Sequence, residues 1–195
     1  MKKVIIVIAV LFCCSGAYTQ EKHDYEAFQA DEIWLKEIIK FPISFAPEIK
    51  YEGYEDLRFA KDWRKTEHED FWCYTFAWHV KTIETQTAEG LETNIKLYYD
   101  GLMGAVNKKK NFQVPETTAL FIKTEGEDTD FKGKIRVYDS FNSEDMMTLN
   151  VLVNVNYCKD SDSSVIIFRL SPQSFDHDIW ERFKTVKLKT DICEM

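Results

Sequence analysis

A loop tryptophan beside hydrogen-bonding side chains is the feature of this sequence with the clearest chemical use. Trp63 lies between Asp62 and Arg64, and His68 follows within the same charged stretch, residues 61–70. An indole ring can stack on a sugar or anchor a protein partner, because it offers a large flat apolar surface. Arg64 and His68 would donate hydrogen bonds next to it. The combination predicts binding of a polar ligand with one apolar face, such as a sugar ring.

A structural alternative exists for the same loop: Trp63 could act as a lid over the aromatic side of the next segment, which carries Trp72 and Trp78. Two more candidates, Tyr99 and Asp100, lie near the end of a predicted helix and off its apolar stripe. If strand and helix run antiparallel, that helix end comes close to the loop. The predicted ligand-binding residues are Trp63, Arg64, His68, Tyr99 and Asp100.

No motif for catalysis or cofactor binding occurs. The chain has no Gly-x-Ser-x-Gly elbow, no glycine-rich phosphate loop and no His-Glu-x-x-His zinc motif. Its four histidines are dispersed, and no two have the spacing of metal ligands on a helix. We therefore predict no cofactor and no metal site. The enzymatic alternative is a hydrolase whose site residues are distant in sequence and meet only in the fold.

Three cysteines follow the apolar N-terminal segment, and we predict a disulfide between Cys158 and Cys193. Cys158 ends a predicted strand, and Cys193 lies near the C-terminus. Cys73 falls within a predicted strand, where a free thiol is commonly buried. His79 is on the same side of that strand, but six residues at ~3.3 Å each separate the two by roughly 20 Å, which excludes a Cys–His catalytic pair.

The N-terminus predicts export. Residues 1–19 have the form of a signal peptide, with a basic start, an apolar run over 4–12 and small residues before the cut. The apolar run is well short of the ~20 residues of a spanning helix. Cys13 and Cys14 raise the alternative of a lipoprotein, but two bulky residues precede them. We predict a periplasmic or extracellular protein in which 20–195 form one globular domain.

Composition and charge exclude some classes of partner. The chain is acidic, with a formal net charge of −8, and its basic residues are scattered. Such a surface repels phosphate backbones, so nucleic-acid binding is not expected. We also predict no membrane span in the mature chain, since no later apolar run is long enough. Aromatic residues make up 14% of the chain, which is typical of a folded domain with a large core.

The central element is predicted to be a strand over residues 71–80, FWCYTFAWHV. Alternation places five large side chains on one face and mostly small ones on the other, and both faces are apolar enough to be buried. We expect a helix over residues 84–103 to pack on the small-residue face, ending at Gly101 and Gly104. The large face is formed by Trp72, Tyr74, Phe76, Trp78 and Val80.

The second half of the chain predicts a four-stranded antiparallel meander and a last helix. Strands are expected over 117–124, 131–138, 148–158 and 165–170, because apolar residues alternate there and the connections are short. Residues 31–40 fit a helix or a strand equally well. Residues 41–59 contain two prolines and read as an aromatic arm lying along the domain. The last helix is expected to bury Ile179, Trp180, Phe183 and Val186.

These elements predict an α+β fold with a mixed or mainly antiparallel sheet. A helix followed by a four-stranded meander resembles the cystatin-like and NTF2-like rolls. The resemblance is one of topology and implies no function. Since no catalytic motif occurs, the sequence favours an exported, non-catalytic binding or interaction module for an unknown ligand, such as a carbohydrate or a protein.

Overall fold

Seven strands build one antiparallel sheet with the spatial order β2-β3-β4-β8-β7-β6-β5. The computed structural model describes residues 25–110, 112–125 and 128–194, so the predicted signal peptide at 1–19 lies outside the described residues. In chain order the elements are β1 (Phe28–Gln29), β2 (Leu35–Lys40), β3 (Gly53–Phe59), β4 (Tyr74–Val80), α1 (Ala88–Asn107), β5 (Thr118–Lys123), β6 (Phe131–Tyr138), β7 (Met146–Cys158), β8 (Ser163–Ser171), α2 (Ile179–Phe183) and β9 (Lys187–Leu188).

The predicted central strand and meander are confirmed, but the strand begins at Tyr74 and not at Phe71 because Trp72 has a left-handed backbone conformation. Strand β4 is buried along its whole length and pairs antiparallel with β3 on one side and β8 on the other. Phe76 of β4 lies directly opposite Phe168 of β8, and their rings stack with centroids 4.6 Å apart. Strands β5 to β8 pair in sequence order, as short connections require. The architecture is α+β, as the sequence predicts.

Helix α1 packs on the aromatic face of the sheet, so the prediction that it covers the small-residue face is wrong. Leu91 and Ile95 of the helix belong to the same buried cluster as Phe76 and Trp78 of β4. The physical reason is area, because large aromatic side chains need the thickest cover to leave water completely. A 20-residue helix provides that cover, together with the loop that precedes β3.

The small-residue face is covered by the two ends of the described chain. Ala77 of β4 and Cys73, which directly precedes the strand, pack in a second buried cluster with residues of the N-terminal segment and of α2. The predicted C-terminal helix exists but is short. The four apolar residues assigned to it are buried as predicted, namely Ile179, Trp180, Phe183 and Val186, but Val186 lies beyond the end of the helix at Phe183.

Helix α1 begins and ends later than predicted. Thr87 caps its N-terminus by accepting a hydrogen bond from the Gly90 amide at 3.1 Å. The helix then runs through Gly101 and Gly104 to Asn107. Gly101 has a packing role, because a Cβ atom there would lie 2.0 Å from the backbone oxygen of Phe45. A glycine that reads as a stop signal thus lets the loop before β3 approach the helix.

The prediction of an aromatic arm over 41–59 is right for the loop but wrong for residues 53–59. These form β3, which lies inside the sheet between β2 and β4. Both prolines precede β3, so its backbone can pair on both edges. The ambiguous segment 31–40 supplies the edge strand β2.

Cys158 and Cys193 lie at disulfide distance, with Cα atoms 5.1 Å apart. The pair joins the end of β7 to the 3-10 turn Ile192–Glu194. Cys73 is the free thiol of the described residues, and burial raises its pKa to about 12. A thiol with that pKa contains almost no thiolate at neutral pH and is a poor nucleophile.

Replacing Cys158 and Cys193 together by serine is expected to lower the free energy of unfolding by about 2–4 kcal/mol. The bond closes a loop between residues 35 apart and restricts the unfolded chain. Urea denaturation of the variant and the parent measures the difference. Dithiothreitol should shift the parent curve toward the variant and leave the variant unchanged. A parent curve that does not respond to dithiothreitol would contradict the pairing.

Candidate functional site

A cavity of about 240 Å³ lies where β2, β3 and α1 meet the loop of residues 60–73. Its volume is just below the ~300–1,000 Å³ range of ligand pockets, which suits a ligand of about one ring. Most of its wall is aromatic or aliphatic, and its two charged residues are Glu37 and Arg64. We call it the aromatic cavity; it is lined by Glu37, Ile39, Phe45, Leu57, Phe59, Trp63, Arg64, Trp72, Tyr74, Tyr98, Leu102 and Phe141.

Trp63 has a fixed position in this wall. Its ring stacks on Phe59 with centroids 4.6 Å apart, and Phe59 stacks on Tyr74 at 5.3 Å. Its amide donates to the Ala60 carbonyl at 3.1 Å, and its carbonyl accepts from the Trp72 amide at 2.8 Å. The half-buried indole thus covers neighbouring aromatic rings and also lines the cavity.

The rim of the aromatic cavity carries one cation and one carboxylate. The exposed Arg64 guanidinium lies 5.7 Å from the Trp63 ring centroid and 6.0 Å from that of Phe141. Cation–π contacts of this kind hold a guanidinium over a ring while its donors stay available. Glu37 is exposed on the edge strand β2. The rim can therefore attract an acceptor or an anionic group through Arg64.

Trp72 combines strained backbone with an unused hydrogen-bond donor. Its φ angle is +52°, in the left-handed region that bulky residues rarely adopt. The residue is 1% exposed, and its Nε1 has no partner among the described residues. A buried donor without a partner costs about 1–3 kcal/mol, and such strain and unmet donors concentrate at ligand sites. Trp72 also lines the aromatic cavity, although the N–H itself has almost no exposed surface.

Buried polar groups fix the tyrosines of the cavity wall. The Tyr74 and Tyr99 hydroxyls are hydrogen-bonded to each other. Glu55 accepts from the Tyr98 hydroxyl at 3.3 Å and from Trp78 Nε1 at 3.2 Å. Burial of Glu55 raises its pKa to about 8, although both hydrogen bonds act in the opposite direction. Glu55 does not line the aromatic cavity, so it orients Tyr98 from behind.

The structure brings Trp63 and Arg64 together and places the other three predicted site residues elsewhere. Tyr99 is fully buried against Tyr74. Asp100 pairs with Lys96 at 2.6 Å and accepts from the Thr117 amide at 2.7 Å. His68 lies in the same loop as Trp63 but does not line the cavity.

Sequence reasoning missed several residues of the wall. Tyr98 and Leu102 line it from α1. Both follow the apolar period of the helix, which is typical of core residues. Their four-residue spacing does show that they share a face of the helix. Phe141 comes from the loop before β7, and no local pattern marks it.

His68 belongs to a cluster that could in principle hold a metal. Ligand atoms of Asp62, His68 and Asp70 lie within 4.8 Å of one another. Both carboxylates already have cationic partners, because Asp62 contacts Lys65 at 2.7 Å and Asp70 contacts Arg182 at 2.6 Å. His68 Nδ1 accepts from the Asp70 amide at 3.1 Å. A cation would have to displace these partners, and as it stands the cluster braces the loop of residues 60–73.

Comparison with known proteins returned no relative. No protein-family model matches the chain, and no curated protein or solved structure resembles it significantly. The chemistry of the cavity is therefore the basis for assigning a function.

Among the residues that the structure describes, no helix is both long and apolar enough to cross a bilayer.

Proposed function

We propose that this protein is a non-catalytic binding module that holds a small ring-shaped ligand in the aromatic cavity. The observation that carries the proposal is a mostly aromatic wall that contains Trp63, Trp72 and the rim cation Arg64. A ligand with an apolar ring and one acceptor group would stack on Trp63. If the Trp72 ring turned toward the cavity, its buried N–H, which has no partner among the described residues, would donate to that acceptor. Arg64 at the rim favours an acceptor with negative charge.

Few polar groups line the wall of the aromatic cavity, and this limits the class of ligand that can bind there. A neutral sugar carries a hydroxyl on most of its carbons, and each one buried without a partner costs about 1–3 kcal/mol. The cavity offers a sugar few partners besides Trp72, Arg64 and Glu37. This favours an aromatic or aliphatic ring with a carboxylate over the carbohydrate suggested by the loop sequence. A sugar fits better stacked on Trp63 at the rim than enclosed.

The hydrolase alternative has one observation in its favour, the raised pKa of Glu55. A general acid must come within hydrogen-bond reach of its substrate. Glu55 is 0% exposed, and its carboxylate is occupied by Tyr98 and Trp78. Binding without catalysis is thus the better-supported reading.

Export remains part of the proposal. The pairing of Cys158 with Cys193 suits an oxidising compartment, where disulfides persist. The signal-like residues 1–19 point the same way. A periplasmic or extracellular binding module for a small ligand fits both features.

The test is a titration of the purified protein with benzoate, indole-3-acetate and glucose, followed by tryptophan fluorescence and calorimetry. We expect saturable binding of the two aromatic carboxylates and weaker binding of glucose. Trp63→Ala and Trp72→Phe should each weaken binding at least tenfold, which corresponds to about 1.4 kcal/mol. The first change removes the stacking surface, and the second removes the donor and keeps a ring.

Trp34→Phe is the matched control. Trp34 is also buried, and its Nε1 has no partner among the described residues, but it packs near Phe183 in the second cluster. Binding should therefore be unchanged in this variant. Loss of affinity in Trp34→Phe as large as in Trp72→Phe would contradict the assigned site, and so would three probes that all fail to bind at millimolar concentration.

A further inference from the structure

On the side of the sheet that faces away from α1, strands β6 and β8 carry positively charged side chains. Strand β6 points Phe131, Ile135 and Val137 toward the helix and buries them. Alternation then places Lys132 and Lys134 on the opposite face, together with the next cation of the strand, Arg136. An acidic protein thus carries a row of cations at two-residue spacing on one open sheet face.

Arg169 of β8 extends this cationic surface toward the C-terminal segment. In the sheet register Leu152 of β7 is directly opposite both Lys132 and Arg169, so the two cations flank it on neighbouring strands. The Arg169 guanidinium donates to Asn154 Oδ1 at 2.6 Å, which fixes its orientation. The Lys132 ammonium lies 4.2 Å from the centroid of the Phe175 ring.

In the part of the chain that the structure describes, these cations have no ion-pair partner. Within the described ranges, Lys132, Lys134, Arg136 and Arg169 have no carboxylate within 4.0 Å. Arg58, on the same side of the sheet, is by contrast paired with a buried carboxylate. Burial lowers the pKa of the Arg169 side chain, and no neighbouring anion raises it again. A partly buried guanidinium without an anion is costly, and a bound anion would remove that cost.

An open groove of about 650 Å³ contains two of these cations, Lys132 and Arg169. Lys132 and Arg169 line it from the sheet, while Phe175, Trp180 and Lys184 close it from the C-terminal segment. It also contains two carboxylates. Glu181 is paired with Lys184 at 2.6 Å, and Asp128 lies on the loop before β6.

Arg169 keeps further donors for a ligand of this groove. Its guanidinium has N–H groups besides the one that donates to Asn154, and an incoming oxygen acceptor could bind them. Thr129 also lines the groove, but its hydroxyl has almost no exposed surface.

We propose that this groove is an anion site, which binds the carboxylate, sulfate or phosphate group of a ligand between Arg169 and Lys132. Arg169 presents a planar set of donors that suits two oxygens of an oxyanion, and Asn154 holds that plane in place. Lys132 supplies the second charge, and the exposed cations Lys134 and Arg136 add positive potential along the face. The site is on the opposite side of the sheet from the aromatic cavity and does not depend on it.

The experiment is an NMR titration of the isotope-labelled protein with sulfate, phosphate and glucuronate, using chloride at matched ionic strength as the reference. We expect saturable shifts at Leu152, Asn154 and Arg169 with at least one oxyanion and none with chloride. The three arms separate a carboxylate ligand from a sulfate or phosphate ester. Equal, non-saturating shifts with every anion would overturn the proposal, because they indicate ionic-strength effects only.

Variants make the assignment specific. Arg169→Gln should weaken oxyanion binding at least tenfold, Lys132→Gln several-fold, and Arg169→Lys by an intermediate factor because charge is kept and the planar fork is lost. Lys109→Gln makes the same charge change at an exposed position after α1 and should bind as the parent does. If Arg169→Gln fails to fold, the oxyanion affinities of Arg169→Lys and Lys132→Gln test the site instead. Parent-like affinity in both would refute the site.

Discussion

The free energy of unfolding of the parent protein is expected to fall as pH rises from about 5 to about 8, and replacing Glu55 with glutamine should remove the part of this fall that is due to Glu55. The folded-state pKa of Glu55 is about 8, and its ordinary value is 4.5. Between these values the folded chain keeps a proton that the unfolded chain has released. The free energy of unfolding therefore falls with rising pH, by about 1.4 kcal/mol per pH unit. Glutamine cannot ionise, so this contribution disappears.

The measurement is urea denaturation of parent and Glu55→Gln at pH 5 and pH 8. From pH 5 to pH 8, the free energy of unfolding of Glu55→Gln should rise by about 4 kcal/mol relative to that of the parent. Burial also raises the pKa of Asp56, to about 6, and lowers that of His79. These groups titrate in both proteins, and taking the difference removes them. Glu48→Gln, at an exposed position, should keep the parent's pH dependence.

The pH dependence is the diagnostic quantity because absolute stability mixes two effects. A glutamine oxygen can accept from Tyr98 and Trp78 as Glu55 does, but its amide brings two new donors into a buried site. That cost is the same at both pH values. Parallel pH profiles for parent and Glu55→Gln would show that Glu55 is ionised in the folded protein, contrary to the argument from burial.

The sequence predicts the strands of this fold better than it predicts their covering layers. Alternation in β4 and β7 is local, and short connections fix antiparallel neighbours. Which layer covers which face is a long-range outcome. Both faces of β4 are apolar, so either could have received α1. The outcome depends on the area of Phe76 and Trp78 and on the approach of the loop at Phe45 to Gly101, and no local pattern encodes that approach.

The residues of the candidate site differ in the same way, because some have a local signal in the sequence and others are recognised only in the fold. Trp63 and Arg64 could be found from sequence because an indole within a charged loop is unusual. Tyr98 follows the apolar period of α1 and is indistinguishable from a core residue until the cavity is seen. The unpartnered Nε1 of Trp72 is a property of three-dimensional surroundings. The anion groove was missed for a related reason, since Lys132 and Arg169 are 37 positions apart and meet only through the register with Leu152.

Truncating Trp78 to alanine is expected to cost about 3–5 kcal/mol of the free energy of unfolding. The side chain is 0% exposed and contacts Phe168 with ring centroids 5.0 Å apart and Phe41 at 6.0 Å. Alanine would leave a cavity beneath α1, and it would also remove a donor to Glu55. Urea denaturation at pH 5 measures the effect where Glu55 is protonated in the folded state. Leu120→Ala, at a residue that is 66% exposed, should change stability by no more than about 0.5 kcal/mol.

Trp78→Phe separates the two parts of the loss, because it keeps most of the ring and removes the N–H. If packing dominates, this variant should lose much less stability than Trp78→Ala at pH 5. Its deficit should grow at pH 8, where the Glu55 carboxylate needs its donors more than the neutral acid does. Combining Trp78→Phe with Glu55→Gln should abolish that growth, as expected for two residues in one hydrogen bond. A Trp78→Ala protein as stable as the parent would mean that the aromatic face of β4 is not the core on which α1 rests.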